Sequence, residues 1–280
     1  MAKAKIHQTP KIYQRTLSIS GVSTVAAGIE APPPIVNQLS TGMPSLDTVT
    51  GQAPFKSPVG GKYLVLRTNE IDSYEKIPVG LSINEFLAVT PLPVSDKFAG
   101  TARKAAKLSI AAAETEDYSD LKALIESLVA EDDMINHTPK ITTKATSNRV
   151  EEEKRNVRVR AWIYAASREA DNDFHLIVGR NPTKTPAMYM TMELSGLPGS
   201  SSKFYKQLKV ARDEYKSFFK DRMPGLSYDF YQPPVPVEVE GSLFFDMSHS
   251  NGQRPGPPSL KSRMPTIWEV HPISKIVFEP

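Results

Sequence analysis

PVEVEGSLFF (236–245) and IWEVHPISKIVF (267–278) decide how this chain is read. Both are short apolar runs rich in β-branched and aromatic residues, the composition of buried strands. Between them lies DMSHSNGQRPGPPSLKSRMPT, a proline- and glycine-rich connection long for a hairpin. The ends of these two strands also hold ionisable residues: Asp246, His249, Glu269 and His271.

Working backwards, Tyr215 and Phe218 follow Phe204, Leu208 and Ala211 at helical spacing, so a helix is expected there. Ser200–Ser202 supply a start and Pro224–Gly225 a stop. Three strands are expected before it. NVRVRAWIYAA (156–166) alternates strictly, with Val157, Val159, Ala161 and Ile163 on one face. Arg158, Arg160, Trp162 and Tyr164 take the other. DFHLIVG (173–179) and AMYMTMEL (187–194) follow, each bounded by a polar turn.

The order strand, strand, strand, helix, strand, strand between 156 and 278 is that of a five-stranded OB-like Greek-key barrel, with its helix between strands three and four. A general α+β sheet shares that order. The expectation is therefore a mainly β chain with α: a barrel domain over 151–280, a helical segment and linker over 101–150, and an irregular arm over 1–100. Within the arm, KYLVLRT (62–68) and the apolar residues of 77–89 suggest a small strand pair. Thr101–Ala113 reads as a helix by its alanines, and a second helix is expected from Ser119. It should stop before Glu131, Asp132 and Asp133, since acid is unfavourable at a helix C-terminus. His137–Asn148 is polar and threonine-rich, like a linker.

Three short elements resemble a domain of uncharacterised bacterial proteins: Asp173–His175 as D-x-H, Phe245–His249 as F-D-x-x-H, and Trp268–Pro272 as W-E-x-H-P. The resemblance covers residues 156 to 278. It implies an OB-like domain and no particular activity.

Composition narrows the chemistry. The chain of 280 residues has no cysteine, so thiolate nucleophiles, disulfides and thiolate metal sites are excluded. Its formal net charge of +3 gives no global pull toward nucleic acid or membranes. Seven of the 24 prolines recur through the first sixty residues without a sustained period, which suits a draped arm or an extended segment that meets a protein partner. LSISGVSTVAAG is too weakly apolar for a secretory signal, and no run approaches the ~20 apolar residues of a membrane helix. A cytoplasmic protein without a membrane partner is expected. Gly60–Lys62 is followed by Tyr63, not by the Ser/Thr of a phosphate loop.

Two function classes follow. Asp173, His175, Asp246, His249, Glu269 and His271 sit at strand ends that a barrel can gather into one pocket. Histidines with carboxylates suit a divalent metal such as zinc or manganese, and hence a metal-dependent hydrolase of the phosphodiesterase or nuclease kind. The same residues also suit a hydrogen-bonded network that pins strand ends. The other and leading class is a ligand- or partner-binding module. On it, Arg158, Arg160, Trp162 and Tyr164 form a face for single-stranded nucleic acid, which binds by base stacking in a positive groove.

Overall fold

In the computed structural model, residues 42–72 and 77–280 are described, and they fall within one unit, Asn37–Pro280. The calls on residues 1–41, including the partner-binding arm, lie outside the described residues.

The elements run β1 (Val49–Lys56), β2 (Lys62–Thr68), α1 (Ile83–Val89), α2 (Lys104–Lys107), β3 (Thr115–Tyr118), α3 (Leu121–Glu126), α4 (Glu131–Ile135), β4 (Asn156–Arg168), β5 (Phe174–Gly179), β6 (Tyr189–Leu194), α5 (Tyr205–Phe219), β7 (Asp229–Phe245) and β8 (Trp268–Phe278). The architecture is α+β, dominated by one mixed sheet of eight strands in the order β1-β2-β7-β8-β6-β5-β4-β3, with few helices. Strand β7 also pairs with β4. The barrel was expected to hold five strands, and the sheet has eight among the described residues: β2 is the strand read in KYLVLRT (62–68), while β1 and β3 come from segments that read as irregular arm and helical linker.

Strands β4, β5, β6, β8 and β7 pair in a cycle. Four of the pairings are antiparallel, and β6–β8 is parallel. The side chains of β4 explain the two-sided burial. Val157, Val159, Ala161 and Ile163 enter the main core together with Tyr215, Phe218 and Phe219 of α5. A register shift between Ile163 and Ala165 then turns Tyr164 and Ala165 into a second core on the opposite face. That second core is covered by Phe230 and by Leu260 and Met264 of the 246–267 connection. Pro255, Gly256 and Pro257 of this connection are buried too. Gly256 is its tightest point: its φ is +90°, and a Cβ there would lie 2.7 Å from Met264 Sδ.

Several local expectations need correction. Residues 101–113 form only one helical turn, α2, because Arg103 at its start has a left-handed φ of 46° and its side chain turns into the core. Of residues 77–89, only 83–89 are regular, as α1, started by a capping box between Ser82 and Glu85, and not a strand. Asp120, not Ser119, caps α3. Glu131, Asp132 and Asp133 occupy the first turn of a separate helix, α4, where acid is favourable.

Two arginines, Arg103 buried and Arg149 half-buried, tie the N-terminal segments to the sheet. Arg103 pairs with Glu153 through both nitrogens of its fork, at 2.6 and 2.7 Å, and donates to the carbonyl of Phe245 at 3.0 Å. Its guanidinium also lies over the Phe244 ring. Arg149 donates to the carbonyls of Ala106, Ser109, His271 and Leu243, joining α2 to the ends of β7 and β8.

Glu153→Ala leaves the Arg103 charge buried and unpaired, so it should cost about 3–5 kcal/mol in urea unfolding. Glu126→Ala, which breaks the exposed Lys122 pair, should cost less than about 0.5 kcal/mol. Equal costs for the two variants would contradict this account of the core.

Candidate functional site

Strand pairing alone lines up the site. His175 on β5 is the cross-strand partner of Glu193 on β6. Thr191, one pair along the same face, partners Glu269 on β8, and Glu269 in turn partners Phe244 on β7. His271 follows Glu269 on the same face of its strand. Val270 and Trp268, on the other face of β8, enter the main core, so the polar row lies on the face of the sheet away from that core.

Two connections complete it. The β4–β5 turn is held by Asn172, whose φ of 76° and buried amide bonds to Ser95 and Lys97 carbonyls shape the loop. It presents Glu169, Asp171 and Asp173. Asp173 accepts from the Gly196 amide at 2.6 Å. Gly196 has to be glycine here, since a Cβ would lie 2.6 Å from the backbone of Phe98. The β7–β8 connection begins with Asp246, which accepts from the Ser248 amide and pairs with His249.

All six residues expected from the sequence lie in this region. His271 stands 3.4 Å from Asp173, 2.8 Å from Glu193 and 3.6 Å from Glu269. His249 pairs with Asp246 and lies 3.5 Å from Asp72. His175 is joined to Glu169 and to Thr191 (3.1 Å), and its Nδ1 lies 3.9 Å from Glu193. Sequence reasoning did not assign Asp72, Lys107, Glu169, Asp171 or Glu193 to the site. Glu193 had a legible signal, as an acid on a strand whose other residues are apolar or small. Lys107 had none in its alanine-rich context. Its ammonium lies 3.0 Å from Asp171, 3.4 Å from Asp173 and 3.9 Å from Glu193.

A cavity of about 100 Å³ opens here, lined by Asp72, Lys107, Glu169, His175, Glu193 and Glu269 among others. Two donor sets have atoms within 4.8 Å of one another: Asp173, Glu193 and His271, and Asp72, Glu169 and His175. The first set is fully buried. Neither ring nitrogen of His271 makes an aligned hydrogen bond, and nor does Glu193 Oε2, although carboxylate oxygens stand close by.

Crowding shapes the protonation. Burial and then Asp171 push the Asp173 carboxyl well above its usual range. Burial, with Glu193 and Asp246, does the same to Glu269. Burial opposes the charge on Lys107, but Asp171, Glu193 and Asp173 outweigh it and hold the ammonium. Burial also opposes charge on His271 and leaves it below the usual imidazole range, so its ring is neutral and ready to donate a lone pair.

The face proposed for nucleic acid is differently built. Arg158 pairs with Glu240 and Asp117, and Arg160 with Glu238. Tyr164 is buried against Tyr189 and donates to the Arg180 carbonyl. Trp162 is partly buried against the second core.

No family model matches the chain, and no curated protein or solved structure matches it either. Among the described residues, no helix is long and apolar enough to cross a membrane.

The histidines set a pH dependence for the metal-free protein. Burial pushes Glu169 up to about 7. Burial works against charge on His175 and His249, yet Glu169 raises the first to about 9, and Asp246 with Asp72 raises the second to about 10. In each case the folded value exceeds the unfolded one. The stabilisation is therefore complete below the unfolded value and is lost as pH rises through the folded value. In EDTA, Tm should fall between pH 5.5 and pH 9; a flat or rising Tm across that range would contradict the assignment.

Proposed function

We propose that residues 156–278 form an OB-like barrel whose ligand-binding face carries a divalent-metal centre, and that this centre serves hydrolysis. The barrel reading is supported by the cycle β4-β5-β6-β8-β7, by its parallel β6–β8 pair, and by α5 between β6 and β7. In OB-folds, ligands meet the face of strands two and three and the loops that follow strands one and four. The corresponding places here are β5, β6, the 169–173 turn and the start of the 246–267 connection, which hold the cluster.

The observation that carries the metal reading is His271. A buried imidazole lies among three carboxylates without an aligned hydrogen bond at either nitrogen. Buried polar atoms are rarely left so. Two octahedral ligands of one small cation stand about 2.9–3.0 Å apart, given metal–ligand distances of 2.0–2.1 Å. The His271–Glu193 separation of 2.8 Å suits such a pair. Nitrogen and oxygen donors without sulfur suit manganese or zinc.

His271, Glu193 and Asp173 would hold the ion, which supplies a water acidified to near-neutral pH when bound. The residues at the mouth have their own parts. A carboxylate that lines the cavity accepts the proton of the attacking water as the water oxygen bonds to the substrate centre. That proton then passes to the departing ester oxygen as its bond breaks. The Lys107 ammonium donates to an anionic substrate oxygen, which favours phosphate esters over neutral ones. Binding of single strands on the Arg158 and Arg160 face has weaker support, because carboxylates already partner both arginines.

Calorimetric titration of metal-stripped protein with Mn²⁺ and Zn²⁺ tests this reading. Binding is expected, and His271→Gln should weaken it by more than the roughly 10–100-fold typical of an outer-shell residue. Metal-dependent cleavage of bis(p-nitrophenyl) phosphate, abolished by EDTA, is the expected activity. Absence of metal uptake, or uptake unchanged in a folded His271→Gln protein, would overturn the proposal.

A further inference from the structure

We infer that the centre is binuclear: a second divalent cation binds Asp72, Glu169 and His175, and the carboxylate of Glu193 bridges the two ions. This rests on the metal-binding reading above and adds a distinct site to it.

Glu193 carries the argument. Its two oxygens face different histidines. Oε2 stands 2.8 Å from His271 Nδ1, while Oε1 is the oxygen nearest His175 Nδ1, at 3.9 Å. A carboxylate divided in this way between two imidazoles, each inside its own set of convergent donors, has the arrangement of a bridging ligand. Two-metal sites hold their ions about 3.5–4 Å apart, a span that one carboxylate covers. Glu193 is nearly fully buried, and its Oε2 has no aligned hydrogen bond.

The cavity separates the roles of the two sites. Asp72, Glu169 and His175 all line it, as does Glu193, whereas Asp173 and His271 lie behind it. The second ion would therefore border the cavity directly, and the ion at His271 would reach it on the side of Glu193, the ligand that the two share. The space is sufficient, since a water needs roughly 10–15 Å³ of such volume and the cavity offers about 100 Å³.

Charge points the same way. Among the described residues, Asp72, Glu169, Asp171, Asp173, Glu193, Asp246 and Glu269 stand within ion-pair distance of Lys107, His175, His249 and His271. Even if every histidine is protonated, carboxylates remain in excess. One divalent ion, taking His271 as a neutral ligand, still leaves an excess, and a second reduces it further. Holding these carboxylates buried in their ionised form calls for compensating cations.

The test is Mn²⁺ stoichiometry by elemental analysis at saturation, with electron paramagnetic resonance of the loaded full-length protein. Two ions per chain and the spectrum of an exchange-coupled pair are expected. Glu193→Gln should lose the coupled signal, and the double variant Asp72→Asn, Glu169→Gln should retain one ion per chain. One Mn²⁺ per chain in the unaltered protein would overturn the second site and leave the mononuclear reading standing. None would overturn both. Two ions without coupling would overturn the bridge. The stoichiometry of the unaltered protein decides the matter even if a variant fails to fold.

Discussion

The constraint on which this structure turns is the concentration of carboxylates at one end of a sheet, away from water. Such a group is costly to bury unless positive charge is built around it. The ammonium of Lys107 comes from α2, outside the strands that carry Glu193, Glu269 and His271, and its segment is held by two arginines. Arg149 grips the carbonyls of Ala106 and Ser109 on either side of Lys107, together with that of His271 across the site. Arg103, four residues earlier, is locked by Glu153. The irregular backbone between α2 and β3 thus has a physical reason: its course is set by what the carboxylates and the arginines require.

Much of this was legible in the sequence, for reasons that differ by element. β4 could be read because Val157 to Ile163 alternate cleanly, and α5 because five apolar residues hold helical spacing over fifteen residues. β5 and β6 could be read because both of their faces are covered, which leaves runs that are apolar with few exceptions. Those exceptions are the site. His175, Thr191 and Glu193 interrupt buried strands, and Glu269 and His271 interrupt β8. The six residues named from the sequence were chosen by the same reasoning, as histidines and carboxylates at strand ends, and the fold brings them into one region.

What could not be read has one common cause. α2 is a single turn because Arg103 enters the core, and nothing local distinguishes that arginine from an ordinary surface one. Asp72 and Lys107 belong to the site through tertiary contacts that carry no periodicity. The helix from residue 121 stops before the acids of 131–133, as expected, but that these acids begin α4 could not be read, because Ala130 leads into it with a ψ of 141° that no propensity signals. The arginines of β4 read as a positive face because their partners, Glu238 and Glu240, lie on β7, a strand distant in sequence.

Strand β7 has a consequence for how the chain is made. Its seventeen residues pair with β2, β4 and β8, so it is shared by both halves of the sheet. During synthesis, β2 and β4 leave the ribosome well before the strand that pairs with both. Until residues 229–245 emerge, the edge of β2 and one edge of β4 stay unpaired, with Val65, Val157 and Val159 still to be buried. Contacts of such long sequence separation form slowly. Waiting edges of this kind are where nascent chains need the protection of chaperones, so the rate of translation through the last quarter of the message bears on how much protein reaches its native sheet.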